Sequence, residues 1–572
     1  VLRAFGRAGR LWRRIDALSR ILNNVYLVSK LYVLMRLEIL RRNKIRDFLS
    51  ERKFGLTMAC AVVMSALFAI YMTPLRLLWP MGPDDMPAWM DGIQNAVGQR
   101  YYFRDHFRWP LLDTRLITPP EGLSIAMVDA TPIITLPAKV LYPFLPVWFT
   151  TIGLWFAVSF FLQPLSAIVA LIASGERRSS ALLVGGVMAA CMPFFLARAI
   201  HVTLMGQFVI LFSIALYFYF FTNPIRAFWY SVALLVVTLL VHPYLLAMAA
   251  AVILATSLSM LGRRLSFWWA PLASVGASAT ICAFLAWSLG YFRSQSDAGG
   301  YGVFSLNLLA PIWPMHSTLM EWIPPLTYAR PEQSFEGYAW LGAGLWALLL
   351  VAAVLRPTRL VWRRHTGVPV LAVTLILFAA STEGWVGGFK VWATDAHIPF
   401  SGMFRASGRF FWPVGYFLLI FGVRATRFLS PPIAVLLLSA AVSLQITDTH
   451  DLRREARSLL RATPDEGAST RALRLLMEKK KKLSIYPLYE CGLDLWGDHQ
   501  SAIVNLFRLA SERRLTLNTF YTSRPSNALD CSIKPEKVQS EDSLEVYEIE
   551  KASPPSNRNC STIDSLSVCF VR

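Results

Sequence analysis

Two adjacent carboxylates, Asp84 and Asp85, close the stretch Trp79-Pro80-Met81-Gly82-Pro83, in which a glycine and two prolines fix the chain. A pair of this kind suits a general base. It equally suits a ligand for a divalent cation such as Mg or Mn at a membrane surface where a lipid headgroup sits. The plainer alternative is a solvated turn. The same loop continues through Arg104-Asp105-His106, Asp113 and Glu121 to Asp129. Asp129 stands before Ala130-Thr131-Pro132, where a buried carboxylate needs a partner and an exposed one caps a helix.

Further polar residues stand at the edges of apolar blocks: Arg198 and His201, then Gln207, then His242 before Pro243. Glu332 and Glu336 are four residues apart and share a face if a helix has begun there, with Tyr338 just beyond. Arg405 and Arg409 repeat that spacing in Phe404-Arg-Ala-Ser-Gly-Arg-Phe-Phe-Trp-Pro413. Guanidinium forks fit phosphate oxygens, and the free N–H groups of a helix start add to the attraction. The chain holds no P-loop, Rossmann glycine fingerprint, HExxH or GxSxG, so no nucleotide or redox cofactor is expected.

The elements that must position these residues are apolar. Hydrophobic residues make up 55% of the 572-residue chain and charged ones 16%, and the apolar residues run in blocks too long and too uniform for a soluble domain. About eleven membrane-spanning helices are predicted, at 55–74, 147–171, 180–197, 204–221, 229–242, 243–261, 268–289, 337–355, 368–384, 409–424 and 431–447, with a re-entrant or interfacial helix over 130–146. The formal net charge of +20 does not point to nucleic acid, because the basic residues sit in a head, in short hinges and in a tail. With the head cytoplasmic, the hinges carrying Arg177-Arg178, Arg226, Arg263-Arg264, Arg356 to Arg364 and Arg427 all fall inside. The positive-inside rule then orients the chain. Arg405 and Arg409 break that pattern, which calls for a reason beyond topology.

Three parts follow. Residues 1–54 form a basic cytoplasmic or interfacial segment, with an interfacial helix over 21–40. Residues 55–447 form the transmembrane domain, with outer loops 75–146, 290–336 and 385–408. Residues 448–572 form a periplasmic tail in which strands near Leu483, Leu515 and Leu544 and a helix over 501–512 predict a small α/β domain. Of seven cysteines, Cys491, Cys531, Cys560 and Cys569 lie in this tail without metal-binding spacing. They read as disulfides in an oxidising compartment, with three pairings open.

Residues 55–450 resemble the GT-C superfamily of polytopic membrane glycosyltransferases, and within it a bacterial branch of membrane proteins. The resemblance rests on the Gly82-Pro-Asp-Asp loop, Ser124-Ile-Ala-Met-Val-Asp129, Arg198-Ala-Ile-His201, Glu336-Gly-Tyr and, most specifically, the 404–413 motif. It implies a GT-C-like fold and transfer of a sugar from a polyprenyl-phosphate donor to a cell-envelope glycan, lipid or protein. It also implies Asp84 or Asp85 as catalytic acid or metal ligand, Asp129 as a second acid, and Arg405 and Arg409 on the donor phosphate. His106, Arg198, His201, Gln207, Glu332, Glu336 and Tyr338 are the expected substrate contacts. A lipid-linked saccharide flippase and a non-catalytic assembly factor are the competing classes; the first calls for two related halves with a midplane site. Membrane lipids are the expected surroundings, and the sequence leaves the oligomeric state open.

Overall fold

The computed structural model describes residues 51–570 apart from 295–299, 356–363, 396–397, 399–400, 490, 494–499, 525, 528–530, 532–541, 550 and 557. The expected helix over 21–40 and most of the basic run from Arg356 lie outside the described residues. The chain divides into Val1–Cys60 and Ala61–Arg572. The first unit is described from Glu51, where the helix Glu51–Met72 begins.

The chain is a polytopic α-helical membrane protein with a small mixed β-sheet near its C-terminus. A helix is found at each of the eleven expected positions, but the expectation of eleven full-length spans is corrected. Among the described residues five helices are long and apolar enough to cross a membrane: Phe54–Met72, Ile152–Ala173, Pro243–Gly262, Trp269–Leu289 and Pro431–Asp448. A sixth arises if Ser179–Ala190 and Pro193–Ile200, bent by 41°, are one span. Thr203–Tyr219, Pro224–Leu239, Ala343–Leu355 and Gly367–Ala380 are shorter, as is Trp412–Ala425. The reason is local. Prolines restart the chain at Pro193, Pro224 and Pro243, and 3-10 turns replace α-helix over Thr203–Gln207 and Ser407–Phe411. About 20 α-helical residues are needed for a hydrocarbon core of roughly 30 Å.

The segments joining successive helices fall into two sets, each tied together by hydrogen bonds. In one set Leu111 N–H donates to Ser288 O, Ile133 to Leu240, Gly408 to Phe304 and Thr318 to Asp448. In the other, Arg178 donates to Thr426 Oγ1 at 3.0 Å, Thr366 Oγ1 to Leu258 O at 3.3 Å, and His365 Nδ1 lies 2.9 Å from Tyr217 Oη. Consecutive helices therefore run in opposite directions. Small residues let them pack closely: a Cβ on Gly367 would lie 1.9 Å from Ala255 O, and one on Gly344 2.0 Å from Ala441 O.

All the long loops belong to the first set. Within 130–146, where a re-entrant or interfacial helix is expected, a helix runs over Pro132–Leu141 beside the helix Met90–Arg104. Asp448 fixes the loop at 290–342. Its buried carboxylate accepts from Trp340 Nε1 and Ala343 N–H at 2.9 and 2.8 Å and from Ser317 Oγ.

The tail folds as expected, with helix Gln500–Arg513 and strands Lys482–Tyr486, Thr516–Leu517 and Ser543–Glu548. A hairpin, Asn559–Ile563 with Leu566–Phe570, completes a five-stranded sheet. The first three strands are parallel and the hairpin is antiparallel. Cys491 pairs with Cys531 and Cys560 with Cys569, which selects one of the three pairings. Leu517 carries the sheet onto the first loop through a parallel bridge to Ile117.

Candidate functional site

At the loop-rich end, five segments distant in sequence place charged side chains in one cluster. Asp91 comes from the first turn of Met90–Arg104, where the helix dipole favours a carboxylate. Arg198 and His201 come from the 3-10 turn Ala197–Ile200 and the residue after it. Glu336 ends the short helix Glu332–Glu336, and Arg409 lies in the turn Ser407–Phe411. Asp129 follows the turn Ile125–Met127 with a φ of 55°, a left-handed conformation that aspartate tolerates better than most residues.

Glu336 is the hub. Its Oε2 accepts from Arg198 Nη1 and Arg409 Nε, each at 2.7 Å, and its Oε1 accepts from Arg409 Nη2. His201 Nε2 lies 3.3 Å from the same Oε1, while His201 Nδ1 is 2.5 Å from Asp91 Oδ2. Tyr521, from the tail, donates to Asp91 Oδ1 at 3.4 Å. Arg409 also stacks 5.1 Å over the Tyr244 ring, and Arg198 lies 5.0 Å over that of Phe335.

Asp129 is held through its backbone. Asn95 Nδ2 donates to the Asp129 carbonyl at 2.5 Å, and Gln99 Nε2 donates to Asn95 Oδ1 at 2.7 Å. The Asp129 carboxylate keeps 23% exposure and lies 3.9 Å from His242 Nε2.

These surroundings separate the protonation states. Burial tends to discharge His201, but the Asp91 and Glu336 carboxylates outweigh it and raise its pKa to about 9. Burial would raise Glu336 as well, yet Arg409 and Arg198 hold it well below the usual carboxylate range. Asp129 has no bonded cation among the described residues; burial and then the charge of Asp91 push it up to about 6. Burial, with Arg409 and His201 close by, lowers His242 to about 3. His242 is therefore neutral, in keeping with its Nδ1 accepting the Tyr244 N–H at 3.1 Å, and its approach to Asp129 is no ion pair. With Asp129 ionised, three carboxylates face His201, Arg198 and Arg409, so the charges of the cluster balance.

Of the residues singled out in the sequence, Asp129, Arg198, His201, Glu336 and Arg409 meet here. Arg405 is near but differently disposed. A break at 405–406 separates the turns Ser401–Phe404 and Ser407–Phe411, so Arg405 and Arg409 do not share a helix face. Arg405 lies 6.0 Å over Phe304 and has no acidic partner among the described residues.

The others serve elsewhere. Asp84 is exposed, and its carbonyl accepts from Arg76 at 3.0 Å. Asp85 closes its own turn by accepting the Met81 and Gly82 N–H groups at 2.8 and 3.1 Å. Gln207 accepts from Tyr416 Oη at 2.7 Å in a buried network with Gln163. Tyr338 donates to Met315 O at 3.0 Å. Glu332 and His106 are exposed.

The donor set fits a divalent cation poorly. The carboxylate of Asp85 already receives two N–H groups, those of Asp91 and Glu336 face cations, and among the described residues no three His, Cys, Asp or Glu side chains form a metal-holding group.

Sequence reasoning missed Asp91, Asn95, Tyr244 and Tyr521. A signal for the first two was present: Asp91, Asn95 and Gln99 recur every four residues and form a polar stripe along one face of a helix.

A family model described as Domain of unknown function (DUF6311) matches residues 62–450. No curated protein matches the sequence. Among solved structures, the chain is similar to the Archaeoglobus fulgidus oligosaccharyltransferase tethered with an acceptor peptide, at 11% identity and a TM-score of 0.42. That alignment covers 81% of this chain and 64% of the other, so the chain spans less than two thirds of that protein's length. The same archaeal enzyme, AglB, in complex with an inhibitory peptide and a dolichol-phosphate is similar to the same degree, at 11% identity and TM-score 0.42, over 82% of this chain and 65% of the other.

Proposed function

This chain belongs to the DUF6311 family, whose name carries no activity, and we propose from its own residues that it transfers a sugar from a polyprenyl-phosphate donor. The acceptor is a glycan, lipid or protein at the periplasmic face of a bacterial inner membrane. In this reading all eleven helical segments cross the bilayer, Phe208–Tyr219 and Trp412–Ala425 extended by the 3-10 turns before them, with the N-terminus cytoplasmic. Arginines in the hinges opposite the site and two disulfides in the tail support that orientation.

The observation that carries the proposal is the meeting of Asp129, without a bonded cation and with its pKa raised to about 6, and a cluster of arginines at the rim of apolar helices. Polar groups in such a place are expensive to hold and usually mark a substrate site. The motifs that resemble GT-C enzymes include Asp129, Arg405 and Arg409, and this reading moves the base from Asp84 or Asp85, where the resemblance put it, to Asp129. Asp129 takes the proton from the acceptor hydroxyl; the acceptor oxygen bonds to the anomeric carbon; the bond from that carbon to the phosphate oxygen breaks, and its electron pair leaves with the lipid phosphate. A carboxylate of raised pKa is a better base than an ordinary one and is still ionised at neutral pH. Arg405 meets the charge on the leaving phosphate, while Arg409, clamped by Glu336, sets the positive field behind it. Asp85 holds the turn at 82–85 in shape through the Met81 and Gly82 N–H groups.

The test is transfer from a panel of labelled polyprenyl-phosphate sugars by purified protein in lipid nanodiscs, with envelope extract as acceptor. Label moving to an acceptor, with release of the lipid phosphate, is the expected result. No transfer from any donor, together with movement of lipid-linked saccharide across a bilayer, would replace this reading with transport.

A further inference from the structure

We propose that the C-terminal domain is part of the working site, and that Tyr521 is the positioning residue through which it acts on Asp91; the inference rests on the reading of this cluster as the reacting centre.

The segment 515–523 is fastened to the first loop at four of its residues, 515, 517, 521 and 523. Tyr101 Oη donates to Leu515 O at 2.5 Å. Leu517 N–H donates to Leu116 O at 3.1 Å, and Thr118 N–H donates to Leu517 O at 2.7 Å. Gln94 Nε2 donates to Tyr521 O at 2.9 Å, and Ser523 N–H donates to Met127 O at 2.8 Å. Gln94 lies one helical turn beyond Asp91, so one helix fixes both the Tyr521 backbone and the carboxylate that its hydroxyl reaches.

The consequence is a carboxylate held from two sides. His201 holds Asp91 Oδ2 and the Tyr521 hydroxyl holds Oδ1, which leaves a single orientation for the group. Burial and the charge of Asp91 push the Tyr521 pKa upward, so the phenol stays a proton donor throughout the working range. Tyr489 packs edge-on at 5.3 Å and fixes the ring from the tail side.

The experiment uses the full-length protein in nanodiscs, with two readouts. In the first, 3-fluorotyrosine is placed at position 521 and its fluorine resonance is followed: the resonance should move on Asp91→Asn and stay in place on Asp84→Asn. In the second, Tyr521→Phe should lower kcat about tenfold, the loss of one hydrogen bond to a charged group, with donor KM little changed. The thermal midpoint should fall only slightly, because the backbone contacts remain. A resonance insensitive to Asp91→Asn, or full turnover in Tyr521→Phe, overturns the proposal. If wild-type protein transfers no sugar, the functional reading fails while the fluorine measurement still decides whether Tyr521 holds Asp91.

Discussion

His201 Nδ1 lies 2.5 Å from Asp91 Oδ2, joining residues 110 positions apart and linking the first loop to the end of the bent helix pair. The contact sets the charge state of the whole cluster, since the two carboxylates facing His201 keep the imidazole charged.

A pH profile of transfer should therefore be bell-shaped. The rising limb falls near about 6, where Asp129 ionises and becomes a base, and the falling limb near about 9, where His201 loses its proton and the cluster turns net negative against an anionic donor. His201→Gln should abolish the upper limb, as measured by kcat/KM across pH.

Stability has its own signs. His201 is raised from 6.5 in the unfolded chain to about 9, so its stabilisation is full below about 6.5 and is lost as pH rises through about 9. Asp129 is also raised, from 3.8 to about 6, so ionising it on the way to neutral pH destabilises the fold. Asp129→Asn should accordingly raise the thermal midpoint at pH 7.5 while removing activity, in a scan of both proteins in the same detergent.

Glu336 compensates two buried guanidinium groups. Glu336→Ala leaves both unpaired and should destabilise the protein by about 3–5 kcal/mol. Glu332→Ala, four residues away and exposed, should change stability by less than about 0.5 kcal/mol in the same unfolding assay.

The tail disulfides differ in what they constrain. Cys491 and Cys531 are 40 residues apart, Cys560 and Cys569 nine. On chain entropy, opening the first by paired serine substitution should destabilise the tail by about 1 kcal/mol more than opening the second. Protease resistance of the tail reports the order.

Much of this was legible in the sequence because membrane helices leave a strong compositional trace. The polar residues between them stand out for the same reason: Arg198, His201, Glu336 and Arg409 each interrupt apolar surroundings. Full-length spans were overcounted because composition does not show where proline and 3-10 turns shorten a helix, as before Phe208 and Trp412. Asp84 and Asp85 drew attention as an adjacent pair, yet nothing local tells that Asp85 folds back onto the Met81 and Gly82 N–H groups. Asp91 escaped notice for the opposite reason. It sits in an unremarkable helix, and its partners His201 and Tyr521 lie 110 and 430 residues away.

Asp129 is the group on which the proposed transfer most directly depends. Donor binding and sugar transfer should be measured side by side for wild type, Asp129→Asn and Asp84→Asn, with polyprenyl-phosphate sugar in nanodiscs. The account predicts that Asp129→Asn binds donor as wild type does and loses transfer by at least about a hundredfold, the usual scale for a missing general base, while Asp84→Asn retains most of it. Full transfer by Asp129→Asn, or its loss in Asp84→Asn with binding intact, would contradict the account and return the catalytic acid to the turn at 82–85.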